Sequence, residues 1–335
     1  MFVFGSRPEV PSEEKCRAYY CAMFRSSEEV AKLLPWDTLI DAIESVLTDP
    51  DAIAPERTVH TVPNPPGNDA SILLKPGWVV GEVIAVKVVT FFPDNGALDL
   101  PTINAGVLLF SGTNGTLIGA CDGNELTTRR TAAASAVAAK RLAREDAKRL
   151  LVVGTGALSP MTALAHCAVR DYDVVEVWGR DHDKAQRVAN HLVTHNIDAR
   201  VADDLDAAVA EADVITCVTG STEPLVKGAL LKPGAHVDLI GAFTPAMRET
   251  DDAVMTRGTV FVDTRTDGSI AGDISQPLDS GAITMDDLVG DLAELVAGTH
   301  AGRTSADEIT VFKSAGIALE DVAAAQLVFA DELGP

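Results

Sequence analysis

A glycine-containing turn between a predicted strand and a predicted helix is the clearest chemical signal in the sequence. The run LVVGTGALS places Gly154 and Gly156 directly after an apolar stretch and before a helical pattern. Such a turn lets a pyrophosphate approach the free N–H groups at a helix N-terminus, where the helix dipole attracts anions. We therefore predict that Gly154, Thr155, Gly156 and Ala157 bind a dinucleotide, although Ser159 stands where a third glycine is usual. An ordinary strand-to-helix turn is the alternative.

The end of the next predicted strand indicates which dinucleotide binds. A site for NAD usually has Asp or Glu there to hold the ribose hydroxyls, whereas this strand, VVEVWGR, ends in Arg180 followed by Asp181. A guanidinium can pair with a 2′-phosphate, so we predict NADPH, with NADH as the second choice and a solvated strand-end arginine as the alternative. Thr219, Gly220 and Ser221 follow the strand DVITCVT and are predicted to face the same cofactor.

A lysine inside an apolar strand is the second chemical signal. Lys87 is flanked by Val86, Val88 and Val89 in the run VKVVTFF. A lysine with buried neighbours needs an anionic partner, because burying an unpaired charge is costly. The whole chain has 27 basic and 49 acidic residues and a net charge of −22, so a cation on a strand calls for a specific explanation.

The elements that must position these residues fall into two groups. Residues 57–121 predict a mostly antiparallel sheet, because they are rich in Val, Ile and Thr and broken by turn residues. The Ala-rich run from Thr127 predicts a helix, and strands and helices then alternate as in a parallel, doubly wound sheet. Before the first sheet, Ser26 begins a helical segment that Pro35 interrupts, and residues 285–297 predict a further helix.

Composition excludes several classes of function. The acidic charge disfavours nucleic acid and anionic membrane surfaces as partners, and no apolar run approaches the roughly 18 residues that span a bilayer. The first residues lack the pattern of a secretory signal. The five cysteines are scattered without a CxxC motif, which indicates reduced thiols in the cytoplasm and no metal site.

Several long motifs together resemble the ornithine cyclodeaminase/mu-crystallin family: VKVVTFFPDN, DGNELTTRRTAAASAVAAKRLA, VVGTGA, IGAFTPAMRETDD and ITVFKSAGIALEDVAAAQLV. The resemblance implies an α/β fold in which a Rossmann-type doubly wound parallel sheet is inserted in a second, α+β domain with a mainly antiparallel sheet. We assign residues 26–127 and 309–335 to this substrate and dimerisation domain and residues 128–308 to the dinucleotide domain, with 1–25 as an extension. The family also implies a homodimer.

The same resemblance implies a substrate site. Arg57, Lys87 and Arg130 match family positions that hold the substrate carboxylate, for which two guanidinium forks and one ammonium group are suitable. Structural ion pairs are the alternative for each of them. Lys87, desolvated between two arginines, is also our candidate for the proton donor. Asp321, in the last helix, is predicted to attach that helix to the sheet domain and not to take part in chemistry.

One departure from the family pattern points to the reaction. Relatives that cyclodeaminate ornithine or oxidise alanine have an aspartate where this chain has Phe243, within the run GAFTP. An enzyme that oxidises an amine must deprotonate an ammonium group, whereas one that reduces an imine need not. We count Phe243 among the cofactor-binding residues and Thr244 among the substrate-binding residues, with a simple turn as the alternative for Thr244.

The run GAFTPAMRE resembles the branch of this family that reduces ketimines. The implied activity is NAD(P)H-dependent hydride transfer to C2 of a small anionic cyclic imino acid in proline metabolism. Δ1-Pyrroline-2-carboxylate would give L-proline and Δ1-piperideine-2-carboxylate would give L-pipecolate. Two alternatives stay open: an ornithine cyclodeaminase that releases ammonia and recycles NAD, and a non-catalytic, crystallin-like protein that binds NADPH.

Overall fold

Two β-sheets of different character organise the chain in the computed structural model, which describes residues 23–334 apart from the side chain of Asp267. The first sheet has seven strands and the second has eight. Most of the predicted 1–25 extension therefore lies outside the described residues. The first-sheet strands are β1 (Phe24–Arg25), β2 (Ala52–Ile53), β3 (Thr58–Val62), β4 (Ala70–Val79), β5 (Val83–Phe91), β6 (Ile103–Ser111) and β7 (Leu117–Asp122).

The first sheet is antiparallel except where β1 joins β7. Its order is β1-β7-β6-β5-β4-β2, and β3 also pairs with β4. The apolar run WVVGEVIAVKVVTFF forms parts of two strands, because the chain reverses at Gly81, whose φ of +79° suits a tight turn. Pro76 stands inside β4 between the residues that pair with β3 and those that pair with β2, where the sheet edge tolerates a missing N–H.

The second sheet is parallel throughout, with the order β10-β9-β8-β11-β12-β15-β13-β14. A parallel doubly wound sheet beside a mainly antiparallel sheet confirms the predicted fold class. Its strands are β8 (Arg149–Val153), β9 (Val174–Trp178), β10 (Ala199–Val201), β11 (Val214–Cys217), β12 (His236–Leu239), β13 (Thr259–Val262), β14 (Leu288–Asp291) and β15 (Thr310–Lys313).

Helices cover the parallel sheet and one face of the antiparallel sheet. Short 3₁₀ segments occupy Pro93–Leu98, Gly228–Leu230 and Met285–Asp287. The α-helices are α1 (Ser27–Leu33), α2 (Trp36–Thr48), α3 (Gly123–Leu142), α4 (Leu158–Val169), α5 (His182–Thr194), α6 (Leu205–Glu211), α7 (Asp252–Arg257), α8 (Arg265–Gly268), α9 (Gly272–Ser280), α10 (Leu292–Ala297), α11 (Ala318–Val328) and α12 (Ala330–Leu333).

Helix α3 joins the two sheets. The Asp122 carboxylate accepts a hydrogen bond from the Glu125 N–H at 2.8 Å and so begins the helix four residues before the predicted start at Thr127. Its run of alanines is almost entirely buried, because small side chains let neighbouring helices and strands approach closely. The helix packs against α4, α2 and α11 and therefore belongs to the contact between the two units.

Two predicted boundaries differ from the structure. We assigned residues 309–335 to the antiparallel unit, but β15 lies in the parallel sheet between β12 and β13, and the chain returns to the first sheet only with α11. The predicted helix 285–297 is instead a 3₁₀ turn, the strand β14 and the short helix α10. Within residues 23–334, no helix combines the length and the apolar character that crossing a membrane demands.

Candidate active site

A cleft of about 260 Å³ lies where β8, β9 and β11 end. Ligands of doubly wound sheets bind at this carboxyl edge. The predicted cofactor residues Gly154, Thr155, Gly156 and Arg180 line it. So do the predicted residues that follow β11, which are Thr219, Gly220 and Ser221.

The first glycine of the turn is required by the local geometry. Gly154 has a φ of +130°, and a Cβ atom there would lie 2.7 Å from the carbonyl oxygen of Val218. Ser159, in place of the third glycine, donates its hydroxyl proton to the Gly154 carbonyl at 2.8 Å. The turn is therefore closed by a side chain and still leaves Gly156 exposed, so these residues fit the pyrophosphate of a dinucleotide.

The charged residues after β9 divide between a structural and a binding role. Asp181 caps α5, because its Oδ1 accepts a hydrogen bond from the Lys184 backbone N–H at 3.0 Å. Arg180 and Lys184 are both exposed and both line the cleft. The sequence prediction omitted Lys184, although its place three residues after the capping residue puts it in the first turn of the helix.

Glu249 fixes the loops at the end of the cleft, and the sequence prediction missed it. Its Oε1 accepts the Thr219 N–H at 2.7 Å and the Thr219 hydroxyl at 2.9 Å, and its Oε2 accepts the Gly241 N–H at 2.8 Å. Burial, together with the charge of Asp273, raises the pKa of Glu249 to about 7, against the opposing effect of Lys313. The carboxylate is occupied by main-chain donors and ties the strand ends of β11 and β12 together.

Three predicted residues stand apart from these contacts. Ala157 precedes α4 with an exposed side chain and does not line the cleft. Phe243 is 52% exposed in the loop after β12 and does not line it either. Thr244 is half-buried, and its backbone carbonyl accepts N–H groups from Met247 and Gly272 at 3.2 and 3.1 Å. The structure therefore shows a turn role for the Thr244 main chain.

A cluster of buried charges lies between the two sheets, and we call it the cation cluster. Lys87 Nζ is 2.8 Å from Asp321 Oδ1, and Arg130 Nε is 2.9 Å from the same oxygen. Arg130 also pairs with Glu320, and Lys75 Nζ lies 3.5 Å from Asp321 Oδ2. All five side chains are at most 6% exposed. The sequence prediction included Lys87 and Arg130 and missed Lys75 and Glu320.

The predicted role of Asp321 is only part of what the structure shows. Asp321 does connect α11 to the first sheet, but it is also the common partner of three cations. Burial alone would raise the pKa of Asp321, yet the charges of Arg130, Lys87 and Lys75 hold it below the ordinary range. Burial and the charge of Arg130 lower the pKa of Lys87 well below its usual value, against the attraction of Asp321. Lys87 therefore holds its proton less tightly than a solvated lysine does.

The fold brings these side chains together from four separate segments. Lys75 of β4 and Lys87 of β5 are direct cross-strand partners. Arg130 comes from the second turn of α3, and Asp321 from the first turn of α11. The turn before α11 contains Gly316, whose φ is +79° and where a Cβ would lie 2.5 Å from Arg130 Nη1. Only glycine suits this contact.

The sequence prediction also included Arg57, and Arg129 is the chain neighbour of Arg130. Arg57 is half-buried, and its charge is close enough to Lys75 to contribute to the lowering of the lysine's pKa, after burial and the larger effect of Arg130. Arg129 pairs with Glu125 at 2.7 Å and lies over the ring of Trp36. Neither of these partners belongs to the cation cluster.

The cleft and the cation cluster share one edge of the parallel sheet. The cleft lies at the ends of β8, β9 and β11, and the next strands in the sheet are β12, β15 and β13. Asp263 follows β13 and accepts N–H groups from Ala315 and Gly316, which follow β15. The Gly316 carbonyl oxygen in turn accepts a hydrogen bond from Lys75 Nζ at 3.1 Å. A ligand extended along this edge from the cleft therefore leads toward the cluster.

This arrangement suits transfer chemistry between a dinucleotide and a small anion. No group of three or more metal-ligating side chains occurs in the described part of the chain. The buried cations can neutralise a carboxylate, and a lysine of lowered pKa can give up a proton.

Comparison with known proteins agrees with this geometry. The model of the ornithine cyclodeaminase/mu-crystallin family matches residues 21–334. The Δ1-pyrroline-2-carboxylate reductase of Paracoccus denitrificans is 38% identical over 288 residues, which are 83% of this chain and 91% of the relative. The ketimine reductase mu-crystallin of Mus musculus is 35% identical over 319 residues, with 91% and 96% covered.

Solved structures give the same result. The Δ1-pyrroline-2-carboxylate reductase of Thermococcus litoralis, solved in complex with NADH and L-proline, superposes with a TM-score of 0.86 at 30% identity. The match covers 92% of this chain and 96% of that one. All three relatives are reductases by name. The resemblance identified from the motifs is thereby confirmed, and this chain belongs to the ornithine cyclodeaminase/mu-crystallin family.

Proposed function

We propose that this protein is an NADPH-dependent reductase of cyclic ketimine carboxylates, acting on Δ1-pyrroline-2-carboxylate and Δ1-piperideine-2-carboxylate. The observation that carries the proposal is a buried, cation-rich cluster at the same sheet edge as a dinucleotide cleft. The names of the three relatives support the same reaction class.

The charge of the cation cluster suits a substrate with one carboxylate. Lys75, Lys87 and Arg130 face Glu320 and Asp321, and Asp263 adds a third buried carboxylate close to Arg130 and Lys75. Arg57 adds a fourth positive charge nearby, so the cations exceed the carboxylates by one. A bound carboxylate reduces this excess, and the arginine fork can orient it through paired hydrogen bonds. In a protein of net charge −22, such a local excess of cations is needed to attract an anion at all.

Lys87 has the properties of the proton donor. It is 2% exposed, and burial with the charges of Arg130 and Lys75 outweighs the attraction of Asp321, so its ammonium group is more acidic than that of a solvated lysine. When bound, the reduced nicotinamide supplies a hydride to C2 of the substrate. Lys87 protonates the imine nitrogen, while Arg57 and Arg130 hold the carboxylate. The Thr244 hydroxyl makes a weaker contact to the substrate nitrogen.

The absence of a carboxylate at Phe243 disfavours ornithine cyclodeamination. That reaction begins with an amine that must lose a proton. Glu249, which contacts the residues just before Phe243, already accepts four hydrogen bonds, from Thr219, Gly241 and Ala242. A cyclic imine arrives unsaturated and needs a donor, which Lys87 provides.

The preference for NADPH over NADH rests on the residues after β9. Arg180 and Lys184 place two positive charges at the edge of the cleft. Asp181, the residue that argued for NADH, uses one carboxylate oxygen to cap α5. A 2′-phosphate therefore meets two cations, and a 2′-hydroxyl meets a carboxylate that is already engaged.

The proposal includes a homodimer formed through the first sheet. The face of this sheet opposite Lys75 and Lys87 presents half-buried apolar side chains in register: Trp78 beside Ile84 and Phe110, and Val86 beside Leu108. Such a face favours contact with a second copy. Light scattering of a Val86→Asp variant tests this, because a charge on the shared face would shift a dimer to monomers. A cytoplasmic location stays a prediction.

A paired assay tests the activity. The protein is incubated with NADPH and Δ1-pyrroline-2-carboxylate while NADPH oxidation is followed, and in parallel with L-ornithine and NAD while ammonia is measured. We expect rapid NADPH oxidation and no ammonia. Ammonia release with slow imine reduction would favour the cyclodeaminase, and NADPH binding without turnover of either substrate would favour the crystallin-like alternative.

A further inference from the structure

Lys75 is the member of the cation cluster that neither the motifs nor the proposed reaction explains. It is 6% exposed, its Nζ donates to the Gly316 carbonyl at 3.1 Å, and the same Nζ lies 3.5 Å from Asp321 Oδ2. On the sheet it stands directly opposite Lys87. The sequence therefore places two buried ammonium groups side by side on neighbouring strands.

Stability alone gives no reason for a lysine at this position. Like charges directly opposite each other on two strands are destabilising, and a buried ion pair is often no more stable than well-packed apolar residues. Asp321 already has two cationic partners on Oδ1, namely Lys87 and Arg130. An apolar side chain at position 75 would leave Oδ1 of that carboxylate paired, but the Gly316 carbonyl would lose its donor and Oδ2 its cation. A neutral polar side chain could supply that donor, so the positive charge of Lys75 needs a functional explanation.

The charges around Lys87 show what the second lysine changes. Within residues 23–334, the charges that act most strongly on Lys87 come from three elements: Lys75 of β4, Arg130 of α3 and Asp321 of α11. Glu320 and Asp263 act on Arg130, and Cys121 of β7 is a buried thiol whose pKa the charge of Asp321 raises further. Asp321 favours the ammonium form of Lys87, and both other cations oppose it. Without Lys75, one carboxylate and one guanidinium would nearly balance at Lys87. With Lys75, the balance moves toward release of the proton.

We propose that Lys75 is a positioning residue whose positive charge makes Lys87 a stronger proton donor to the imine nitrogen. This inference rests on the proposed reductase function. Lys75 itself touches neither substrate nor cofactor in this scheme; it acts through Lys87 and through their shared partner Asp321.

The proton and the electrons balance in this step. C2 receives a hydride, which is one proton with two electrons, from the reduced nicotinamide. The π electron pair of the C=N bond moves to nitrogen. The nitrogen then forms a bond to the proton that leaves Lys87. Lys87 becomes a neutral amine and regains a proton from solvent after the product departs.

The test measures the titration of Lys87 directly. Full-length protein is labelled with ¹³C at the lysine ε-carbons, and the Lys87 signal is assigned by its absence in Lys87→Met. We expect Lys75→Met to raise the titration midpoint of Lys87 by about one pH unit, because one neighbouring positive charge is removed. The basic limb of the pH profile of kcat/KM with Δ1-pyrroline-2-carboxylate should move upward by the same amount.

Three further variants complete the design. Lys75→Gln is a second neutral variant in case Lys75→Met folds poorly, and Lys75→Arg keeps the charge and should leave the midpoint near that of the wild type. Lys140→Met removes an exposed lysine that pairs with Glu44 on the helix surface and should change nothing. An unchanged Lys87 midpoint in both neutral variants would overturn the proposal, even if activity fell.

The design separates this inference from the proposed function. If Lys87→Met reduces the imine as fast as the wild type, the donor role of Lys87 is wrong, whatever the titration shows. If Lys87→Met is inactive but the neutral variants at position 75 do not shift the midpoint, Lys87 keeps its role and the inference about Lys75 is wrong.

Discussion

The dinucleotide cleft and the cation cluster are built in opposite ways. The cleft is formed by consecutive residues at strand ends, and much of its surface is main chain held open by Gly154 and Gly156. The cluster is formed by side chains from four segments, with up to 246 positions between Lys75 and Asp321. A short turn can thus specify the cleft, whereas the cluster exists only when the first sheet, α3 and α11 are all in place.

The cleft and the cation cluster also differ in how strongly their charges are exposed to water. The cleft depends on backbone conformation and tolerates solvent, so its charged residues Arg180 and Lys184 are exposed. In the cluster, every charge is removed from water and depends on the others. Loss of one partner should therefore cost far more in the cluster than in the cleft.

Asp321→Asn should have the largest effect on stability. The amide removes the negative charge shared by Lys75, Lys87 and Arg130, and leaving buried charges without a counter-ion costs about 3 to 5 kcal/mol. The measurement is the free energy of unfolding from urea denaturation. The matched control is Glu125→Gln, which breaks the less buried pair with Arg129 and should cost under about 1 kcal/mol. Equal losses in the two variants would contradict the importance assigned to burial.

Gly154→Ala should come next. A side chain there meets the Val218 carbonyl and a backbone with φ of +130°, which costs about 1 to 3 kcal/mol from strain alone. Gly156 is a natural comparison, since a Cβ there meets nothing within 4 Å. We expect Gly156→Ala to leave thermal unfolding unchanged while weakening NADPH binding, measured by nucleotide fluorescence. Loss of stability in both variants would show that the turn has no spare space at Gly156.

Arg180→Gln should change cofactor choice without changing stability. The ratio of kcat/KM for NADPH to that for NADH should fall about tenfold to a hundredfold, because hydrogen bonds to charged groups contribute about 1.5 to 3 kcal/mol. Steady-state kinetics with both cofactors measures it. Arg187→Gln, which changes an exposed arginine of the following helix α5 that does not line the cleft, is the control. A ratio that stays constant in Arg180→Gln would remove the basis for NADPH preference.

The stability contributed by the parallel sheet and by the cation cluster should also depend differently on pH. Burial lowers the pKa of His236, in the parallel sheet, to about 3 from an ordinary value of 6.5. The folded state therefore resists protonation, and stability from this group is full above about 6.5 and falls as the pH decreases toward 3. Asp321 has a lowered pKa, so its contribution persists until the pH falls below its ordinary 3.8.

A His236→Gln variant isolates this effect. The stability of the wild type relative to the variant should decrease by about 1.4 kcal/mol for each pH unit below 6.5, which urea denaturation at several pH values measures. A difference that does not depend on pH would show that His236 protonates as easily in the folded as in the unfolded chain.

The sequence predicts the residues of the cleft better than those whose positions depend on contacts between distant segments. Gly154, Arg180 and Thr219 lie in local patterns whose geometry is known in advance, and the structure places all three at the cleft. Lys75 was missed because its position beside Lys87 depends on the register between β4 and β5, which appears only in the folded sheet. Glu249 was missed because its role depends on two loops that only the folded sheet brings together.

The prediction of one helix over residues 285–297 was wrong, and the hydrogen bonds of Asp291 and Glu294 explain why. Asp291 accepts the Glu294 N–H at 3.0 Å, and Glu294 accepts the Asp291 N–H at 2.9 Å, which is a capping box. This pair starts α10 at Leu292 and leaves Leu288–Asp291 free to join β13 as a strand. The spacing of Asp and Glu was visible in the sequence, whereas the pairing of β14 with β13 was not.

The most direct test of the account is the fate of the transferred hydrogen. Wild-type protein is supplied with NADPH deuterated at C4, in each of its two epimers, together with Δ1-pyrroline-2-carboxylate, and the product is analysed by mass spectrometry. If the cleft and the cation cluster form one site, the deuterium from one epimer appears at C2 of L-proline. Product without deuterium from either epimer, or no product at all, would contradict the claim that the two regions act on one substrate.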